Sequence, residues 1–352
     1  MAHDSVVSDD SKTVSRFFVN TCRLLQPSIH HVMATIRPTQ TLKDVLQDDE
    51  DYLIPLTTGS AAEFYIQPML SCVGDVDIMD HYRGILAIPA GHPPPTQLPA
   101  EFRSRVEINE IIDSEYPGYV YLVRTYLLIE NTDDDKYDAV PYNWLEYLSY
   151  RYEMAPNREQ HGPAITESAM SGQVVMSFDD VNCVRCLSWP SQAADWPTRH
   201  RNYGWPDSAT VDRVVSNGCD VVGVAHRLCR QDEWMNTHQW RLSFSRAEIV
   251  LLNSWMPVQQ IIYHMLRVFV KTERLTDITD STGTKILSNY HIKTLMLWAC
   301  EMKTKIWWID DLNVVKCCVV LLHTLVDWLK NKTLFHYFVQ TVVWSTLHYM
   351  EK

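Results

Sequence analysis

The residues with the clearest chemistry lie between positions 58 and 80. Thr58-Gly59-Ser60 is followed by Gly74-Asp75-Val76-Asp77-Ile78-Met79. Side chains alternate faces along an extended strand, so Asp75 and Asp77 point one way and Val76 the other. Two carboxylates on one face repel each other. A hard divalent cation with oxygen ligands is the natural occupant between them. Gly59 allows the backbone to approach a phosphate closely, and Ser60 offers a hydroxyl. A third carboxylate would complete a two-metal site, in which ions about 4 Å apart activate a hydroxyl nucleophile and stabilise leaving pyrophosphate. Asp179, in Met176-Ser177-Phe178-Asp179, is the candidate, and Asp180 next to it would face the opposite side. An Asp-x-Asp pair alone is commonplace on a half-exposed strand. Joined to an upstream Gly-Ser and a later strand Asp, it takes the pattern of a nucleotidyltransferase.

Strands and helices must hold these residues in place. The apolar spacing of 13–36 predicts a helix with Pro27 as a kink. The segment 87–99, AIPAGHPPPTQLP, reads as an extended loop, because each residue from 92 to 95 is Pro or precedes Pro. The β-branched and aromatic stretches 120–130 and 174–187 read as strands, and 131–136 as a solvated acidic turn. From about residue 245 the period changes to 3.6, with helices expected at 249–270, 290–303, 312–329 and 335–349. One helix, a β-rich part and a helical part make an α+β lobe followed by a helical lobe. The expected organisation is a disordered tail at 1–12, a core at 13–245 with its N-terminal helix, and a helical lobe at 246–352.

The chain has 352 residues, 46% hydrophobic and 21% charged, the balance of a folded globular protein. Its net charge of −12 excludes a uniformly basic nucleic-acid coat, although a single face can still steer a polyanion. Residues 251–352 carry a surplus of +3 against −15 for the remainder. The first twelve residues are polar and acidic, unlike a secretory signal, and no stretch is apolar enough to span a bilayer. Nine cysteines, an odd count in a large chain, fit a reducing, cytoplasmic setting better than a disulfide framework.

Three further segments carry a resemblance. They are Gln239-Trp240-Arg241-Leu242-Ser243-Phe244-Ser245-Arg246-Ala247-Glu248, Leu287-Ser288-Asn289-Tyr290-His291-Ile292-Lys293-Thr294, and the Trp189-Pro190 that follows Asp179. With the acidic segment, they resemble the Mab-twenty-one family of nucleotidyltransferase-fold proteins over about residues 13–305, and in particular the cyclic GMP-AMP synthase-like receptors of animals. The resemblance implies a bilobal fold, with a mixed-sheet catalytic lobe and a helical lobe braced by a long N-terminal helix. It implies an enzyme that senses a ligand, double-stranded RNA being the expected one, and joins two nucleoside triphosphates, ATP and GTP or others, into a cyclic dinucleotide. A ligand-induced dimer is possible within that scheme, and no membrane is involved. Many relatives lack the acids and work by binding alone, which is the alternative.

Carried over by the resemblance, Asp75, Asp77 and Asp179 are the catalytic carboxylates, holding two Mg²⁺ or Mn²⁺ ions. Thr58, Gly59 and Ser60 hold the donor triphosphate. Arg241, Ser243, Ser245 and Glu248 orient bases and acceptor, and Ser288, Tyr290 and Lys293 contact base and phosphates. Arg267 stands where the family has a phosphate-binding Lys, keeping the charge with a bidentate head. No structural zinc is expected. Residues 246–264 contain no Cys where vertebrate relatives insert a zinc thumb, and Cys183-x-x-Cys186 with His226-x-x-Cys229 reads as buried structural cysteines. His291 and Trp307-Trp308 read as packing residues. Lys12, Arg16, Arg23, Lys271, Arg274, Lys303 and Lys305 are the basic residues available to a polyanion.

Overall fold

The computed structural model describes residues 9–24, 53–59, 62, 76–131, 133–150, 159–161, 164–171, 174–226, 228–230, 233–279, 285–309, 313–331 and 333–339. Helix α1 spans Asp9–Leu24. It starts inside the stretch expected to be a disordered tail, and Asp10 places negative charge near the positive end of the helix dipole. Ser15 Oγ donates to Ser11 O at 2.8 Å and accepts from Val315 N at 3.4 Å, which ties α1 to the C-terminal helices. The remainder of the helix expected to residue 36 lies outside the described residues.

Among the described residues, ten strands follow in one sheet. They are β1 (Leu53–Thr58), β2 (Val76–Pro89), β3 (Arg105–Asp113), β4 (Tyr119–Asn131), β5 (Lys136–Tyr147), β6 (Glu159–His161), β7 (Ala164–Ser171), β8 (Val174–Cys186), β9 (Cys219–Gly223) and β10 (Gln239–Ser243). Strands β4 and β8 fall where residues 120–130 and 174–187 predict them. Strand β2 runs three residues into the proline-rich segment, to Pro89, before the turn closed by His92 N on Pro89 O.

The sheet order is β1-β2-β3-β4-β10-β9-β8-β7-β6, with β5 on β4 and a second pairing of β2 with β8. Strand β2 pairs antiparallel with β1 along its first half and parallel with β3 along its second. Strand β8 likewise pairs with β7 and then β9. The two run parallel to each other throughout, with a bulge between His81 and Leu86 where β2 changes neighbours.

The other described α-helices are α2 (Ser208–Ser216), α3 (Met235–His238), α4 (Ser245–Asn253), α5 (Pro257–Thr272), α6 (Asn289–Met302), α7 (Lys305–Ile309) and α8 (Val314–Asn331). The single helix expected at 249–270 is two helices. Pro257 cannot donate a backbone hydrogen bond and forces Met256 into extended geometry (φ −65°, ψ 152°), so α4 stops and α5 starts afresh with Pro at its first turn. The first five residues of the helix expected at 335–349 are not helical: 337–339 form a turn, with Phe338 N and Val339 N donating to His336 Nδ1, both at 3.2 Å, and 340–349 lie outside the described residues. One large core joins Trp240, Leu242 and Val221 of the sheet to Leu251, Ile262, Leu266, Leu295 and Leu321 of the helices.

Strand β2 is anchored by a buried charge cluster on β9. Asp220 of β9 is fully buried, 3.0 Å from His81 Nε2 on β2, and it accepts from Arg246 Nε at 3.0 Å. Arg185 NH1 lies 3.6 Å from it, and His81 Nδ1 reaches Ile54 O of β1 at 3.1 Å. Burial alone would push the Asp220 carboxyl up. The His81 hydrogen bond and the charges of His81, Arg246 and Arg185 outweigh it and hold the carboxyl below the ordinary value. Its folded value being depressed, this carboxylate contributes stability above the usual carboxylate range, and that contribution is lost as pH falls through the depressed value. Asp220→Ala strands three partners and is expected to cost about 3–5 kcal/mol, measured by urea unfolding at pH 7.

Candidate active site

The registers bring the predicted acids together. Asp77 of β2 and Asp179 of β8 are direct register partners in the parallel pair. Partners in adjacent strands project to the same face, with strands about 4.8 Å apart. Asp180 pairs with Ile78 and points to the opposite side, as the alternation predicted. The row extends to Thr58, the β1 partner of Asp77, and to Thr166, the β7 partner of Asp179. Asp75 and Ser60 lie outside the described residues.

Gly59 ends β1 with φ +58°. A Cβ placed there would stand 2.7 Å from Asp77 Cγ and nearer still to Oδ2. The glycine therefore does more than free the backbone, since its missing side chain is the space that the Asp77 carboxylate fills. Thr58 is buried, and its hydroxyl donates to Asp77 O at 3.4 Å. The strand end, the turn and the first acid are thus one packed unit.

The β10–α4 elbow, which carries the WRLSFS residues, lies beside this row. Ser243 Oγ is 3.1 Å from Ser245 Oγ and 3.9 Å from the sulfur of Met79, which follows Asp77 by two on the same face. Further along, Lys293 Nζ donates to Glu248 Oε2 at 2.7 Å. Tyr290 OH lies 2.7 Å from His336 Nε2. Arg241 is exposed on β10, and its charge acts on both Tyr290 and His336. The structure thus gathers Arg241, Glu248, Tyr290 and Lys293 into one cluster.

Two further predicted residues make contacts within the helical lobe. Ser288 is the N-cap of α6, its hydroxyl 2.8 Å from His291 Nδ1, which also accepts from Ser288 N at 2.8 Å. Arg267 is buried on the core face of α5, over the Tyr263 ring at 5.6 Å. The Cys pair behaves as expected from its spacing. Cys183 packs with Met79 and Val222, whereas Cys186 lies in the main core opposite Cys219. His226 stacks on Tyr116 at 3.9 Å. Trp308 is buried in the core, edge-on to Trp307 at 4.5 Å.

His336 was not legible in the sequence. It sits in a segment expected to be helical, and nothing in its spacing marks it. Two backbone N–H groups donate to its Nδ1, so in the neutral ring Nε2 carries the proton and donates to the Tyr290 oxygen. Burial, helped by Arg241, pushes His336 down to about 4. Burial also lowers His291 to about 4, and burial with Arg267 lowers His264 to about 3. All three are neutral in the fold at pH 7. Because their folded values lie below the unfolded one near 6.5, the unfolded chain takes up these protons first. Stability is therefore full above about pH 6.5 and falls as pH drops toward 4, by on the order of 2 kcal/mol each for buried His264 and His291. Urea unfolding across that range is expected to show the slope, and His291→Gln to flatten it.

The donor set suits a hard divalent cation. It offers carboxylate oxygens from neighbouring strands on one face, with the Asp77 carboxylate seated where a Cβ at Gly59 would stand. Among the described residues no group of three or more His, Cys, Asp and Glu is arranged as a metal site. The third carboxylate of the motif, Asp75, is not among them.

A mixed sheet with a parallel central pair and a helical lobe defines a nucleotidyltransferase-fold protein. Residues 139–254 match the Mab-21 protein nucleotidyltransferase domain, and residues 258–343 the Mab-21 protein HhH/H2TH-like domain. The chain belongs to the Mab-21 family. Asp179 and the WRLSFS elbow lie inside the first match, and Thr58–Asp77 precedes it. The chain is 26% identical over 160 residues to Protein male abnormal 21 of Caenorhabditis elegans, covering 44% of this chain and 41% of the relative. It is 23% identical over 186 residues to Protein mab-21-like 3 of Danio rerio (52% and 43%). It is also 29% identical over 140 residues to Transmembrane protein 102 of Mus musculus (39% and 26%). Each match spans less than half the length of the relative. Among the described residues of this chain, no helix is long and apolar enough to cross a membrane.

Proposed function

We propose that this chain is a metal-dependent nucleotidyltransferase that joins two nucleoside triphosphates into a cyclic dinucleotide of the cyclic GMP-AMP kind when it binds double-stranded RNA. The observation that carries the reading is the register of Asp77 against Asp179, with Gly59 shaped around the first carboxylate. In the transfer, a ribose hydroxyl oxygen bonds to the α-phosphorus of the second nucleotide. The bond to pyrophosphate breaks and the hydroxyl proton passes to solvent; a second transfer of the same kind, with loss of a second pyrophosphate, closes the ring. Bound Mg²⁺ or Mn²⁺ ions would neutralise the phosphates and make the hydroxyl a better nucleophile. Asp77, Asp179 and, by the motif, Asp75 would hold them.

The remaining roles belong to the cluster beside the row. The Gly59-Ser60 turn and Lys293 would receive the phosphates, and Arg241 with Ser243 the bases. Tyr290 offers a half-buried ring for stacking, worth roughly 1–3 kcal/mol per base. The test incubates the protein with labelled ATP, CTP, GTP and UTP, Mg²⁺ or Mn²⁺, and double-stranded RNA or DNA. A phosphatase-resistant product that appears with the RNA supports the proposal. No product under any combination, from a folded protein, overturns it.

One observation favours a second reading, a catalytically silent Mab-21 interaction protein. Lys293 is engaged by Glu248 and the Tyr290 hydroxyl by His336, so two nucleotide contacts are bonded internally. If the enzyme reading holds, Glu248→Gln frees Lys293 and changes the KM for nucleotide more than kcat. No turnover from either wild type or Glu248→Gln would count toward the silent reading.

A further inference from the structure

Asp179 receives a hydrogen bond from a residue that no motif in the sequence marks. Thr166 Oγ1 donates to Asp179 Oδ1 across 2.6 Å. Thr166 lies on β7, the next strand outward from β8, and is Asp179's register partner there. The distance is that of a charge-assisted O–H···O⁻ bond, the stronger kind. Directly opposed residues in an antiparallel pair bring their Cβ atoms within about 4.5–5.5 Å. The bond is therefore set by strand register and by a short, stiff side chain, since the β-branch of Thr restricts its χ1.

The two acids are thus restrained differently. Asp77 packs against Gly59, where any side chain would strike its carboxylate. Asp179 is held from its far side through one oxygen, Oδ1, which fixes the rotation of the carboxylate about its Cβ–Cγ bond. A carboxylate aimed in advance loses less freedom when it takes up a cation. Hydrogen-bonding partners of metal ligands commonly matter 10–100-fold in affinity.

We propose that Thr166 is a positioning residue of the cation site, holding Asp179 in the orientation in which it shares an ion with Asp77. The inference rests on the reading above that these two carboxylates bind a divalent cation. Its test is Mn²⁺ binding, measured by titration calorimetry on the full chain without nucleotide, together with thermal unfolding. The variants are Asp77→Asn, Asp179→Asn, Thr166→Val and Thr166→Ser.

Wild-type protein is expected to bind Mn²⁺, and both Asp variants to lose it. Thr166→Val, of equal size but without the hydroxyl, is expected to weaken Mn²⁺ roughly 10–100-fold with an unchanged unfolding midpoint. Thr166→Ser should restore most of the affinity. If Thr166→Val does not fold, Thr166→Ala removes the same hydroxyl and carries the comparison. Wild-type affinity in the hydroxyl-less variant, alongside loss in Asp179→Asn, overturns the role of Thr166 and leaves the cation site standing. A Ser variant as weak as Val also overturns it, because the methyl packing would then be the cause. Mn²⁺ affinity indifferent to both Asp variants overturns the underlying cation site, and the role of Thr166 with it.

Discussion

Asp77→Asn is expected to lower nucleotidyl transfer about a thousandfold or more, and to leave the fold intact. Asn keeps the size and the strand geometry but removes the negative charge that faces Asp179 one strand away. A thousandfold corresponds to roughly 4 kcal/mol of transition-state stabilisation, which is the scale for losing a charged ligand at a site where phosphate charge is moved. Stability should move the other way or not at all, since the substitution relieves repulsion between two carboxylates on one face. The pair of readouts makes the result interpretable. Steady-state product formation falls while the urea midpoint holds or rises. Asp179→Asn should lose as much, and the double variant little more, because residues that act as a unit are far from additive. A full rate from Asp77→Asn would remove the basis of the proposed activity.

Gly59→Ala has the second-largest expected effect, and it acts through a single methyl group. The added carbon would lie 2.7 Å from Asp77 Cγ at a backbone φ of +58°. Both conditions disfavour it. The left-handed conformation costs a non-glycine residue roughly 1–2 kcal/mol, and the carboxylate must also rotate away from the row. Activity is expected to fall about a hundredfold or more, the cost expected when reacting groups are displaced by about 1 Å. Unlike Asp77→Asn, this variant should also lower the unfolding free energy by roughly 1–3 kcal/mol. Product formation and denaturant unfolding on the same preparation separate the two. If Gly59→Ala keeps both rate and stability, the close packing of the turn on Asp77 has no functional consequence.

The candidate acids were legible because strand alternation is a covalent property. Asp179 sits on a segment whose β-branched residues read as a strand, and the Asp75-Val76-Asp77 spacing puts both acids on one face of an extended chain. The α+β order and the helical second half were legible by their periods. Less legible were the breaks. Pro257 divides one apolar period into α4 and α5, and 335–339 is not helical although the apolar spacing runs through it. In both places the hydrophobic spacing continues while the backbone does not, so periodicity overran the helix.

Thr166, His336, His81 and Asp220 were invisible as partners for the same underlying reason. Each acquires its role from a residue far along the chain. Thr166 bonds a residue 13 positions away, Tyr290 meets His336 across 46, and His81 meets Asp220 across 139.

By itself, then, the sequence determined the local facts about this protein: which stretches extend, which coil, where an acid faces with its neighbours, and that Gly59 precedes a phosphate-compatible hydroxyl. Only the tertiary structure decided that Asp77 stands opposite Asp179, that Gly59 is shaped around a carboxylate, and that Arg267 is buried on the helical core face. Side-chain direction along a strand follows from bond geometry within a few residues. Strand register follows from the free energy of the whole core, because a shift of one residue would turn every buried side chain of that strand toward the wrong face.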